Sequence, residues 1–134
     1  ADPEIKLDMK RRCPMNQVTA MFKRRAVDSV GGYIDWYCEE DYYLWLRLML
    51  NGYSFGNVDR VLVNVRISED MYGRRGGWKY FRSEARLQRF MLENHVIPIS
   101  TYLVNVAKRA LVQVLMPNGM RGWAFRKFAR EKAE

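Results

Sequence analysis

The run Glu39-Glu40-Asp41-Tyr42-Tyr43-Leu44-Trp45-Leu46-Arg47-Leu48-Met49-Leu50 places three acids ahead of a stretch that is apolar on nearly every side, interrupted chiefly by Arg47. Carboxylates suit a helix N-terminus, where unpaired N–H groups carry partial positive charge. A helix that is apolar all round is buried. Asn51-Gly52 follows as its stop signal. The run therefore predicts a buried helix opened by an acidic turn, with Glu39 the most solvated of the three acids.

Upstream, Gly31-Gly32 breaks the chain and gives the backbone freedom to turn. The stretch Ala26–Val30 has room for no more than one helical turn. Val18–Phe22 is a short apolar run rich in strand formers and predicts a buried strand. Residues 1–17 read as polar and irregular, with a basic knot at Lys10-Arg11-Arg12. Downstream, Val61–Ile67 alternates and predicts a second strand. Ser68–Gly77 reads as a loop in which three glycines surround Arg74 and Arg75.

Trp78–Glu93 predicts a helix. Trp78, Phe81, Ala85 and Leu92 fall on one side, and Tyr80, Leu87 and Met91 roughly opposite. Lys79, Arg82, Arg86 and Arg89 form a basic stripe between them. Pro98 breaks the chain again. Tyr102–Met116 is strongly amphipathic, Pro117-Asn118-Gly119 is a turn, and Arg121–Lys132 predicts a last basic helix carrying Trp123, Phe125 and Phe128. Two strands alone rarely make a stable sheet. They call for a partner outside this sequence, or for self-association.

The bulk properties narrow the class. The chain has 134 residues, 49% of them hydrophobic, which suits one folded domain and excludes a disordered tail. No apolar run approaches the roughly 18 residues of a transmembrane helix. Ala1-Asp2-Pro3-Glu4 is polar, so no signal peptide is expected at the start. Cys13 and Cys38 read as reduced thiols, and with His95 the single histidine, no zinc site is expected. The net charge is +8 and uneven: Met71–Arg130 holds twelve Lys or Arg against only Glu84 and Glu93. A cationic half implies an anionic partner, such as the phosphates of a nucleotide or lipid, a membrane surface, or nucleic acid.

Three runs in order carry a family resemblance. Cys13-Pro14-Met15-Asn16-Gln17 leads into Val18–Phe22. Gly31-Gly32-Tyr33 precedes Glu40-Asp41-Tyr42, Leu44-Trp45 and Arg47-Leu48. Met71-Tyr72 leads to Arg74-Arg75-Gly76-Gly77-Trp78-Lys79-Tyr80-Phe81. Over about Lys10–Arg130 the sequence resembles the C-terminal, acceptor-side half of family 2 inverting glycosyltransferases. The resemblance implies an α/β fold, the C-terminal portion of the GT-A (nucleotide-diphospho-sugar transferase) fold: few strands, several helices, a helical C-terminus. It divides as residues 1–98, the acceptor-side part of the catalytic domain, and 99–134, basic amphipathic helices. Where the family commonly has His after the Asn of the first run, this chain has Gln17. The nucleotide-binding front half of the family, with its Asp-x-Asp motif, has no match here.

The resemblance makes Asp41 the general base that takes the acceptor hydroxyl's proton as that oxygen attacks the anomeric carbon. A carboxylate within reach contributes about 10² to 10⁴ in rate. An Asp with an ordinary pKa of about 3.9 is ionised at neutral pH without tuning. Glu40 and Trp78 are candidates for acceptor binding. Arg74 and Arg75 are candidates to close over the donor diphosphate, whose charge grows in the transition state. No metal ligand is expected in this chain; a divalent metal, Mg or Mn, is expected for the full-length enzyme. The expected partners are a nucleotide-sugar donor and a sugar or lipid-linked acceptor, with peripheral contact at the inner face of the membrane from an otherwise cytoplasmic protein. Self-association of the isolated chain is expected, and nucleic acid is not. The rival class is a non-enzymatic basic module that binds acidic membrane or nucleic acid, although no nucleic-acid fold signature is present.

Overall fold

The structure is a computed structural model that describes residues 1–64 and 77–115. Among these, the elements are α1 (Asp2–Asp8), a 3₁₀ turn (Gln17–Thr19), α2 (Arg24–Ser29), α3 (Glu40–Leu50), α4 (Trp78–Glu93) and α5 (Ile99–Ala110), which runs on into a π turn at Leu111–Leu115. The centre is α3. Tyr42, Leu44, Trp45, Leu46 and Leu48 are buried on it, as an all-round apolar helix requires. Leu87 and Met91 of α4 cover one side of it. Ile5 and Met9 from the α1 end, Val27 from α2, Trp36, and Val96-Ile97 after α4 complete the core.

The stop of α3 is as the sequence implies. Gly52 adopts φ 81°. The amides of Gly52 and Tyr53 donate to the carbonyls of Met49 (3.0 Å) and Leu48 (3.1 Å), which satisfies the open end of the helix. Helix α4 begins and ends where its periodicity predicts, and buries the side bearing Tyr80, Leu87 and Met91 together with Ser83 and Gln88. Residues 2–8, read as irregular, form α1 instead. Only Ile5 on this helix is buried, so its periodicity is too sparse to mark it.

Neither strand is observed among the described residues. Val18 lies in the 3₁₀ turn, Met21 and Phe22 are exposed outside any regular element, and Val61–Asn64 is exposed without regular structure. A strand needs a neighbour for its backbone groups, and no described residue pairs with either segment. The residues of the second strand from Val65 onward, the loop with Arg74 and Arg75, and the last basic helix lie outside the described residues.

Helix α5 packs against α4, but not with its apolar face. Asn105, Arg109 and Gln113 turn inward, as residues four apart on one helical face can do together. Asn105 Nδ2 donates to Gln88 Oε1 (2.9 Å) and to the Lys10 carbonyl (3.2 Å). Arg109 pairs with Glu84, and the Gly77 amide donates to the Gln113 carbonyl (3.0 Å). Ile99, Leu103, Val104, Leu111 and Val114 face outward, between 41% and 59% exposed. The amphipathic pattern is therefore real, but its polar side is the inner one.

Candidate functional site at the start of helix α3

The acidic turn sits where three segments meet. Cys38 takes a left-handed backbone conformation, with φ 58°, and redirects the chain just before the helix. Such a conformation is uncommon for a residue with a side chain. Glu39 follows as N-cap, then Glu40 and Asp41 in the first turn. Asp41 is half-buried, and its Oδ1 accepts a hydrogen bond from the Tyr42 amide at 2.7 Å. An anionic acceptor on a first-turn amide is what the partial positive charge of a helix start favours. Glu40 is half-buried beside it.

Glu39, expected to be solvated, is buried instead, with only 4% of its surface exposed. It faces Tyr80 and Glu84 on α4, Arg109 on α5, and Asp41 on its own helix. The Tyr80 hydroxyl donates to it. Burial pushes its carboxyl up to about 8, and the Glu84 carboxylate adds to the shift, both acting against the charged form. Glu84 is itself shielded: Arg109 Nε stands 2.9 Å from its Oε2, and Gln113 Nε2 donates to the same oxygen. Arg109 Nε makes no aligned hydrogen bond, so charge alone holds that pair. One cation thus stands near two carboxyl groups, Glu39 buried and Glu84 half-buried.

Two clamps fix the acidic turn in place. Arg47, further along α3, reaches back to donate to the carbonyls of Val30 and of Gly32 (2.6 Å), and its guanidinium lies 4.6 Å from the centre of the Tyr43 ring. Burial holds its pKa below the usual arginine value. Gly31 and Gly32 carry φ 83° and 67°, so the turn presenting those carbonyls requires glycine. On the other side, Trp36 Nε1 donates to the Ser83 carbonyl (3.2 Å), Ser83 Oγ to the Tyr37 carbonyl (2.6 Å), and Lys79 sits 4.0 Å over the Tyr37 ring. These contacts bring the start of α4 against the segment leading into α3.

The start of α4 is thus held against the segment that leads into Glu40 and Asp41. Trp78 opens α4, 59% exposed, with its ring centre 5.2 Å from that of Phe81. Sequence reading missed Glu39, Glu84, Arg109 and Gln113 as a unit. The one available signal was Glu84, a rare acid in a strongly cationic stretch, since a charge taken into the interior calls for a specific partner. Among the described residues, no group of three or more His, Cys, Asp or Glu is placed to hold a metal ion, and no helix is long and apolar enough to cross a membrane.

The sequence that builds this helix-centred arrangement matches a known family over most of its length. The family described as Glycosyl transferase family group 2 matches residues 4–126. The chain belongs to that family. It is 36% identical over 121 residues to a UDP-Gal:alpha-D-GlcNAc-diphosphoundecaprenol beta-1,3-galactosyltransferase of Escherichia coli, covering 90% of this chain and 44% of the relative. It is 40% identical over 79 residues to the amylovoran biosynthesis glycosyltransferase AmsE of Erwinia amylovora, covering 59% of this chain and 30% of the relative. An uncharacterized glycosyltransferase of Haemophilus influenzae is 38% identical over 78 residues, or 58% of this chain and 28% of the relative. The chain therefore spans less than half the length of the curated relatives it matches. No solved structure matches it significantly.

Proposed function

We propose that this chain is the acceptor-side half of an inverting, GT-A-type hexosyltransferase, which moves a sugar from a nucleotide-sugar donor to a hydroxyl acceptor in polysaccharide or glycolipid synthesis. Asp41 is the general base. The observation that carries this reading is its place: a half-buried carboxylate on the first turn of the core helix, its Oδ1 tied to the Tyr42 amide. In the reaction the acceptor oxygen attacks the anomeric carbon, its proton passes to Asp41, and the nucleoside diphosphate leaves from the opposite face. The half outside this chain binds the donor and a divalent metal, Mg or Mn. Glu40 and Trp78 contact the acceptor, and Arg74 and Arg75 neutralise the leaving diphosphate. In the full-length enzyme, Asp41→Asn keeps donor binding but lowers transfer at least about a hundredfold. Turnover within a few-fold of the wild type removes Asp41 from the role.

The outward apolar face of α5 supports a further element of this reading, peripheral docking on an anionic bilayer. Ile99, Leu103, Val104 and Leu111 lie exposed on it, with Lys108 at its edge. The sequence beyond continues with Trp123, Phe125 and Phe128 among Arg126, Lys127 and Arg130. Basic amphipathic segments with aromatic residues lie in the interface of anionic membranes. A diphosphoundecaprenol acceptor, named for the Escherichia coli relative, is lipid-linked and suits such a surface. The chain is expected to co-sediment with anionic vesicles, less so as salt is added, and to lose this when Leu103 and Leu111 become Ser. Equal recovery with anionic and neutral vesicles at low salt defeats the docking reading while leaving Asp41 untouched.

A further inference from the structure

The buried seam beneath Asp41 has no part in the chemistry above, yet it joins three helices at the acidic turn. Glu39 is the N-cap of α3, Tyr80 and Glu84 belong to α4, and Arg109 belongs to α5, with Gln113 in the π turn that follows it. Glu84 is paired with Arg109 and accepts from Gln113, so the cation available to Glu39 is already committed. Asp41 lies two residues beyond Glu39, and Tyr42 next to it anchors α3 to the Met9 carbonyl at 2.6 Å. A second full charge on Glu39 would stand beside Glu84 and Asp41 in a setting with little water to screen it.

We infer that Glu39 is a positioning residue for Asp41: buried at the N-cap of α3 and packed beside the Glu84–Arg109 pair, it holds the first turn of α3 where Asp41 meets the acceptor. The inference rests on Asp41 being the base. The groups facing Glu39 from every element packed on it are Glu84 and Tyr80 of α4, Arg109 of α5, and Asp41 and Tyr42 of α3. Burial and the nearby Glu84 carboxylate keep Glu39 protonated up to about pH 8. The turn is therefore held through neutral pH and released above it. Arg109 pairs with Glu84 and also lies near Glu39, so the inward polar face of α5 gives both carboxyl groups a cation.

Two measurements test this. The first needs no catalysis: the side-chain carboxyl of Glu39 is followed by NMR in the 134-residue chain as pH is raised. Its midpoint is expected near 8 in the wild type and lower in Glu84→Gln, where the neighbouring charge is gone. A midpoint in the ordinary glutamate range overturns the inference. The second uses the full-length enzyme. Glu39→Ala is expected to lower kcat at least about tenfold with little change in KM, as a displaced catalytic group does. Glu39→Gln, which mimics the uncharged acid, is expected to restore most of it and to abolish the fall in rate above about pH 8. An alkaline limb unchanged in Glu39→Gln also overturns it. If instead Asp41→Asn remains active, the base assignment fails, and the NMR midpoint shows whether the seam is built as described.

Discussion

Arg47 looks from its surroundings like a flaw in an apolar helix, and the structure makes it the tie between that helix and the glycine turn. Its two terminal nitrogens each serve a backbone carbonyl. Arg47→Met should leave those carbonyls without donors and lower the unfolding free energy by about 2–3 kcal/mol, read from urea titrations. Arg47→Lys should recover little of this, because an ammonium cannot fork to two carbonyls. Tyr42 makes a smaller case of the same kind. Its hydroxyl donates to the Met9 carbonyl inside the core. Tyr42→Phe should therefore cost about 1–2 kcal/mol in the same measurement. The buried positions of Leu44, Trp45, Leu46 and Leu48 were legible in the sequence, since an unbroken apolar surface leaves no other option. Glu39 was not legible, because its burial depends on Glu84 and Arg109, which come together with it only in three dimensions.

At the level of elements, α3 and α4 could be read directly, since each combines a clear apolar pattern with clear punctuation. The strand expected at 18–22, and the described part (61–64) of the second one, could not, because strand formers declare a preference that only a neighbouring strand realises. Helix α5 shows a subtler failure. Its pattern was plain, but a pattern does not say which face meets the protein, and here buried hydrogen bonds and an ion pair decide in favour of the polar one. The seam so formed should make stability depend on pH. Glu39 is raised in the folded state, so the fold holds a proton that the unfolded chain gives up above the ordinary glutamate value, about 4.5. Its contribution is complete below that value and is lost as pH rises toward about 8. Thermal melts should accordingly show a loss of Tm between about pH 5 and pH 8 that Glu39→Gln largely removes; an unchanged slope in that variant would place the dependence elsewhere.

At the scale of the molecule, many large apolar side chains among the described residues lie uncovered. Val18, Met21, Val58, Val61 and Leu62 are each at least 68% exposed, in addition to the outer face of α5. Surfaces of this kind seek cover, and in a chain that spans less than half of its relatives the proposed source is the remainder of the transferase. Isolated, the chain should self-associate. Sedimentation at tens of micromolar should show dimers or larger species, and a clean monomer would mean that these residues are tolerated in water. The grip of Arg47 on the glycine turn has a consequence for how such an enzyme changes over generations. Arg47 holds main-chain oxygens, so its hold is indifferent to the side chains that follow at Tyr33, Ile34 and Asp35, all of them exposed. Ile34 and Asp35, beyond the Gly31-Gly32-Tyr33 run, form an exchangeable cassette between two fixed anchors, the glycine turn and Trp36. Exchanges there should leave the acidic helix in register, because the tie that sets it never touches them.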